Sequence, residues 1–139
     1  MPELNVTMEA ITFLPISSIY IALNALVMLA LAFLVVSARQ ANAKADGKLT
    51  EARDNRIRAH ANNVEYVPMA LMLMVALEFQ GGAAWLLHGL GIVLTVSRIV
   101  HGYGRGKEDR GNLGRMVGTL GTWIVFLVGA VAVLYYTLL

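Results

Sequence analysis

Cysteine is absent from this 139-residue chain, and charged residues make up only 14% of it. The absence of cysteine excludes disulfides, thiolate metal sites and a protein thiol nucleophile, so any sulfur chemistry here needs a thiol from the substrate. A soluble domain usually has about 25% charged residues. Because 58% of the residues are hydrophobic, we predict an all-α membrane protein with a single domain over residues 1–139.

Lysine and arginine are missing from most of the chain, since all eleven fall between residues 39 and 58 or between residues 98 and 115. Loops rich in Lys and Arg stay on the cytoplasmic side of a membrane. The pattern therefore predicts two cytoplasmic basic loops and places both termini, with Glu3, Glu9 and Glu78, outside the cytoplasm. The acidic start argues against a cleaved signal peptide. A net charge of +2 without a basic stripe gives no support for nucleic-acid binding.

Four segments are apolar and long enough to cross a bilayer, which takes about 20 residues of helix. They cover about residues 15–37, 50–79, 83–100 and 113–138. The short Gln80-Gly81-Gly82 link makes the second and third spans an antiparallel hairpin, so we predict a four-helix bundle. Small residues allow membrane helices to approach closely, and this role is predicted for Gly118, Gly121 and Gly129.

A polar stripe marks the first half of the second span. Residues spaced by three or four share a face of a helix, and this spacing joins Asn55, Arg58, Asn62 and Glu65. Ionisable groups that face lipid are costly, so the stripe must face protein or a wet cavity. The basic ends of the other spans bring further side chains to the same depth, namely Arg39, Arg98, His101 and Arg115.

Several guanidinium groups beside one carboxylate favour a ligand that has carboxylates or phosphates and an ammonium group. A small zwitterionic peptide fits this inventory, but a diacidic metabolite, a lipid headgroup or an internal ion-pair network would satisfy it as well. A metal site is not predicted, because His60, His88 and His101 lie on different spans and no zinc-binding spacing is present.

The string Arg58-Ala-His60-Ala-Asn62-Asn-Val-Glu65-Tyr66-Val-Pro68 resembles the second-helix signature of the MAPEG family, the membrane-associated proteins in eicosanoid and glutathione metabolism. Arg-x-x-His at the end of the third span and Arg115-Met-Val-Gly118 in the fourth extend the resemblance over most of the chain. It implies a four-helix bundle that forms a homotrimer in the bacterial inner membrane. It also implies glutathione as co-substrate, bound between neighbouring subunits at sites that open to the cytoplasm.

The resemblance also assigns roles to individual residues. Glu65 would hold the amino group of the γ-glutamyl end of glutathione, and the same end would be bound by Arg58, Asn62 and Tyr66. The remaining glutathione-binding positions would be Arg39, His60, Arg98, His101 and Tyr103. Arg115 would be the catalytic residue, because a cation beside the glutathione sulfur stabilises its thiolate. Arg110 stays an alternative for that role, since residues 104–114 cannot be aligned uniquely.

A glutathione-dependent transferase or peroxidase is the function that these roles imply, with lipophilic electrophiles or lipid hydroperoxides reaching the site from the membrane lipids. Four positions differ in residue type from the eicosanoid-synthesising members and disfavour such a specialised activity, namely Ala61, Gln40, Met116 and Thr119. Two alternatives remain open: a non-catalytic lipid-binding scaffold of the lipoxygenase-activating type, and a small four-helix transporter.

Overall fold

A computed structural model describes residues 14–104 and 111–139, without the side chains of residues 111 and 112. Four helices account for nearly all of this part of the chain: α1 (Pro15–Lys44), α2 (Thr50–Phe79), α3 (Ala84–Gly104) and α4 (Gly111–Leu138). The predicted all-α, four-helix fold is therefore confirmed. Some sequence predictions fall outside the described residues, namely those for Glu3, Glu9 and Arg110.

Three helices are long and apolar enough to cross a membrane: Pro15–Lys44, Ala84–Gly104 and Leu113–Leu138. The helix α2 has the predicted bounds, but its polar stripe lowers its hydrophobicity. The helices α1 and α3 continue beyond their predicted ends, to Lys44 and Gly104. The prediction ended α1 too early because it followed the apolar residues alone. The residues that follow are mostly Ala, Arg, Gln and Lys, which are not strongly apolar but favour helix.

Both described turns end a helix with the same backbone pattern. After α1, Asp46 has φ 51° and the Gly47 amide donates to the carbonyl of Asn42 at 2.9 Å. After α2, Gly81 has φ 78° and the Gly82 amide donates to the carbonyl of Leu77 at 2.9 Å. A left-handed residue followed by this hydrogen bond is the Schellman motif. The second turn makes α2 and α3 the predicted antiparallel hairpin.

The helices are arranged in the order α1, α2, α4, α3 around the bundle, with α1 and α4 at opposite corners. The helices α3 and α4 pack most closely, since a Cβ on Gly118 would lie 2.5 Å from the Ser97 carbonyl oxygen, and one on Gly121 would overlap the Ser97 hydroxyl. A Cβ on Gly129 would lie 3.5 Å from Leu73 on α2, an ordinary van der Waals contact. The predicted role in close packing is therefore confirmed for Gly118 and Gly121, whereas the position of Gly129 has room for a side chain.

We call the end of the bundle that carries the α1–α2 turn the basic end, and the end at Gln80 the hairpin end. At the hairpin end, the Glu78 carboxylate accepts hydrogen bonds from the backbone amides of Ile16 at 2.8 Å and Ser17 at 2.7 Å. Nearby, the Tyr20 hydroxyl lies 3.0 Å from His88 Nδ1. These bonds fix the start of α1 against α2 and α3, and so set the relative depth of residues at the basic end.

Candidate functional site

The charged members of the polar stripe lie on the outside of the bundle. Arg58 and Glu65 are exposed, and Asn62 between them is partly buried. Apolar side chains continue the same helix surface, including Met69 and Met72, which are 51% and 63% exposed. Charged side chains that face hydrocarbon are costly, so these two charges mark this surface as a candidate site.

Arg98 lies behind this stripe and is 2% exposed. Its Nη1 donates to the Oδ1 of Asn62 at 2.8 Å, and its Nη2 donates to the Gly118 carbonyl at 3.0 Å and to the Thr122 hydroxyl at 2.5 Å. No carboxylate in the described part of the chain is within ion-pair distance of Arg98. The guanidinium therefore joins α2, α3 and α4, and it fixes the orientation of the Asn62 amide.

Tyr66 and Arg115 share the flank of the bundle formed by α2 and α4. The ring of Tyr66 packs edge-on against Phe126, with centroids 6.0 Å apart. Arg115 precedes Thr122 and Phe126 by seven and eleven residues, a spacing that places all three on one side of α4. A rise of about 1.5 Å per residue puts Arg115 roughly 10 Å nearer the basic end than Thr122. Arg115 is exposed there, at the depth of the start of the stripe.

Two predicted residues lie on a different flank, between α1 and α2. His60 lines a largely apolar groove of about 550 Å³ together with Ile21, Met28 and other residues of α1. Arg39 follows Ile21 and Met28 at helical spacing and so continues this flank toward the basic end. Glu65 follows His60 at a spacing of five, and this spacing places the two side chains about 140° apart around α2. One chain cannot bring both to the same ligand.

The two predicted residues at the end of α3 are also apart from each other. His101 is 2% exposed and lies between α3 and α4, with Nδ1 3.4 Å from the Thr119 hydroxyl. Tyr103 is 64% exposed and lines a cavity of about 340 Å³ between α1 and α3. The predicted residues thus occupy three sides of the chain, and the largest group, on the α2–α4 flank, consists of Arg58, Asn62, Glu65, Tyr66 and Arg115.

Sequence reasoning missed three further polar residues. Thr122 binds Arg98, and its spacing of seven from Arg115 could have indicated it. Arg56 lines the α1–α3 cavity, although the sequence suggested only a topological role for it. Asn63 is 1% exposed, and neither of its side-chain polar atoms has a hydrogen-bond partner in the described chain. No group of three His, Asp or Glu residues within these segments is arranged to hold a metal ion.

Comparison with known proteins relates this chain to one family and to two bacterial membrane proteins. The MAPEG family model matches residues 17–135. The chain is 37% identical over 123 residues to the inner membrane protein YecN of Escherichia coli strain K12, a match that covers 87% of this chain and 92% of YecN. YecN of Escherichia coli O6:H1 matches to the same extent. No solved structure matches at a significant level. The chain therefore belongs to the MAPEG family.

Proposed function

We propose that this protein is a membrane-bound, glutathione-dependent transferase or peroxidase. The observation that carries the proposal is the exposure of Arg58 and Glu65 on an otherwise apolar membrane bundle. Charges that face hydrocarbon are costly, so this flank needs both a neighbouring subunit and a charged ligand. Glutathione has two carboxylates, an ammonium group and a thiol, and it therefore offers a partner for each kind of charge on the flank.

The division of residues between two flanks supports a site formed by two copies of the chain. One copy supplies Arg58, Asn62, Glu65, Tyr66 and Arg115 from its α2–α4 flank. The neighbouring copy supplies Arg39 and His60 from its α1–α2 flank. An interface that joins two different surfaces of identical subunits closes into a ring when the rotation permits. In a homotrimer, every copy contributes both of its flanks, and three equivalent sites result.

Within such a site, the stripe binds the γ-glutamyl end. Glu65 accepts from the ammonium group of that end, and Arg58 donates to its carboxylate by charge-assisted hydrogen bonds. Asn62 uses Oδ1 to accept from Arg98, so its amide nitrogen remains as a donor toward the ligand. Arg39 of the neighbour donates to the second carboxylate.

The thiol is then directed toward Arg115. The pKa of a free thiol is about 8.5, and an adjacent cation lowers this pKa by one or more units. The thiolate attacks an electrophilic carbon, a C–S bond forms, and the leaving group departs with its electron pair. With a lipid hydroperoxide, the thiolate instead attacks the outer peroxide oxygen, so that an S–O bond forms, the O–O bond breaks and the lipid alkoxide leaves and takes up a proton to become the alcohol. The thiolate of a second glutathione then attacks this sulfur, which forms glutathione disulfide and releases the oxygen as water. Positioning and charge stabilisation are the contributions of the protein.

The bacterial inner membrane is the proposed location, in keeping with the name of the relative YecN. The positive-inside rule places the basic end of the bundle in the cytoplasm, where glutathione is available, with the hairpin end and the C-terminus outside. An electrophile dissolved in the membrane reaches the site laterally from the lipid.

A lipid-binding scaffold without catalysis is the second candidate. The observation that favours it is the size of the apolar grooves on the α1–α2 flank, one of about 550 Å³ around Met28 and one of about 410 Å³ around Met72. Either groove would hold a lipid acyl chain, and such binding requires no glutathione thiol.

A glutathione titration of the detergent-solubilised protein, followed by the ultraviolet absorbance of the thiolate, tests the proposal. We expect a saturable signal at neutral pH that S-methylglutathione does not produce, because the methyl group removes the ionisable proton. Calorimetric binding of glutathione without a thiolate signal would contradict the catalytic proposal. An absence of binding would contradict the glutathione site as well and favour the scaffold.

A further inference from the structure

The cavity between α1 and α3 is apolar except for Tyr103 and two arginines, Arg56 and Arg98. The residues of its apolar walls come from α1 and α3, namely Val27, Ala30, Leu31, Leu34, Ile99 and Gly102. Its volume of about 340 Å³ is in the range of small-ligand pockets. It lies on a different side of the chain from Glu65 and the grooves of the α1–α2 flank.

Neither arginine has a negatively charged partner in the described segments. Arg56 makes no hydrogen bond or ion pair there. Arg98 is 2% exposed, and its Nε is buried without a hydrogen-bond acceptor. Burying an uncompensated guanidinium is strongly unfavourable. An anion that enters the cavity would remove this penalty, and none of the described residues that line the cavity is acidic.

We propose that this cavity binds a single-chain anionic amphiphile, a long-chain carboxylate, with its carboxylate at Arg56 and Arg98 and its hydrocarbon chain between α1 and α3. A planar guanidinium pairs well with a carboxylate through two hydrogen bonds. The apolar walls match one acyl chain, and the volume is too small for the two chains of a phospholipid. This site goes beyond the proposed glutathione reaction, since it needs neither Glu65 nor Arg115, and Arg98, which orients Asn62, is the link between the two sites.

A photoreactive palmitate with a diazirine on its chain tests the assignment in nanodiscs of phosphatidylcholine. We expect labelling concentrated on Val27–Leu34 and on Ile99–Tyr103 by mass spectrometry. Unlabelled palmitate should compete, and hexadecanol should not, because it lacks the charge. Labelling spread evenly over lipid-facing residues such as Trp123 and Leu127, or equal competition by hexadecanol, would overturn the proposal.

Two variants test the head and the tail of the site separately. Arg56→Gln should weaken competition by palmitate about tenfold through the loss of a charge-assisted hydrogen bond. Arg53→Gln is its matched control, because Arg53 is paired with Asp54 at 2.9 Å and does not line the cavity. Ala30→Phe should fill the cavity and abolish labelling, whereas Ala22→Phe on the exposed side of α1 should not. An equal effect of both arginine variants, or labelling that survives Ala30→Phe in a folded protein, would overturn the proposal.

The same variants separate this site from the glutathione site. The thiolate titration of Arg56→Gln should match that of the unmodified protein, since Arg56 is not part of the α2–α4 flank. Loss of palmitate labelling with an intact thiolate signal supports two sites. Should the unmodified protein give no thiolate signal yet retain palmitate labelling on α1 and α3, the proposed function would fail while this inference would stand.

Discussion

Arg98 on α3 donates a 2.8 Å hydrogen bond to the side-chain oxygen of Asn62 on α2. This bond assigns the two residues different tasks. Arg98 is 2% exposed and stays behind the flank, so it positions Asn62, while Asn62 presents its amide nitrogen at the surface. The resemblance assigns both residues to glutathione binding, which stays a prediction, and the bond adds a positioning role for Arg98.

Replacing Arg115 with alanine should remove most of the glutathione thiolate. Without the cation, the pKa of the bound thiol returns toward its free value, and a rise of one unit lowers the thiolate fraction at neutral pH by about tenfold. Ultraviolet absorbance of the bound thiolate measures the change. Arg53→Ala is the control, since Arg53 pairs with Asp54 near the start of α2. An unchanged signal in Arg115→Ala would transfer the role to Arg110.

Replacing Glu65 with glutamine should weaken glutathione binding by about tenfold, because a charge-assisted hydrogen bond to the ammonium group becomes a neutral one. Isothermal titration calorimetry gives the affinity directly. Glu51→Gln, at an exposed position in the first turn of α2, controls for the loss of one negative charge. Equal affinity in the Glu65 variant and the unmodified protein would refute the family assignment of this residue.

The membrane orientation predicts the activity of reporter fusions. Alkaline phosphatase fused after Leu139 should be active, because that enzyme folds only outside the cytoplasm. The same reporter fused after Gly47, in the α1–α2 turn, should be inactive. The reverse pattern would invert the topology and would move the basic end, with the proposed glutathione site, out of the cytoplasm.

The contact between α3 and α4 predicts opposite effects for two glycine-to-alanine changes. Gly118→Ala should lower the free energy of unfolding by roughly 1–3 kcal/mol, since its new methyl group would press on the Ser97 carbonyl and on His101. Gly89→Ala, with nothing within 4 Å of the added methyl group, should be neutral or stabilising by up to about 1 kcal/mol through helix propensity. Unfolding in mixed detergent micelles distinguishes them. Similar behaviour of the two variants would contradict the close α3–α4 packing.

The helices and the polar stripe could be predicted because they depend on local pattern. Apolar length gave the four helices, and a spacing of three and four residues placed Arg58, Asn62 and Glu65 on one side of α2. Gly118 and Gly121 were assigned correctly as packing residues because small side chains in membrane helices have few other uses.

The arrangement between helices could not be predicted, because it depends on which flank each helix presents to its neighbours. The spacing of five residues puts His60 and Glu65 about 140° apart on α2, but it could not show that His60 is the one that faces α1. Local spacing also gave no sign that Arg56 lines the α1–α3 cavity, since an arginine near a helix start looks the same in a topological and a ligand-binding role. Likewise, the binding of Glu78 to the start of α1 joins residues 62 positions apart.

That distant bond has a consequence for the order in which the helices are completed. The first amides of any helix have no acceptor within the helix itself, and Leu14 supplies no side-chain cap to α1. The backbone amides of Ile16 and Ser17 donate instead to the carboxylate of Glu78. Glu78 is synthesised after nearly all of α2. The start of α1 therefore obtains these hydrogen bonds within the chain only after α2 has been made and has packed beside it. The first helix of the chain is in this sense completed by the end of the second.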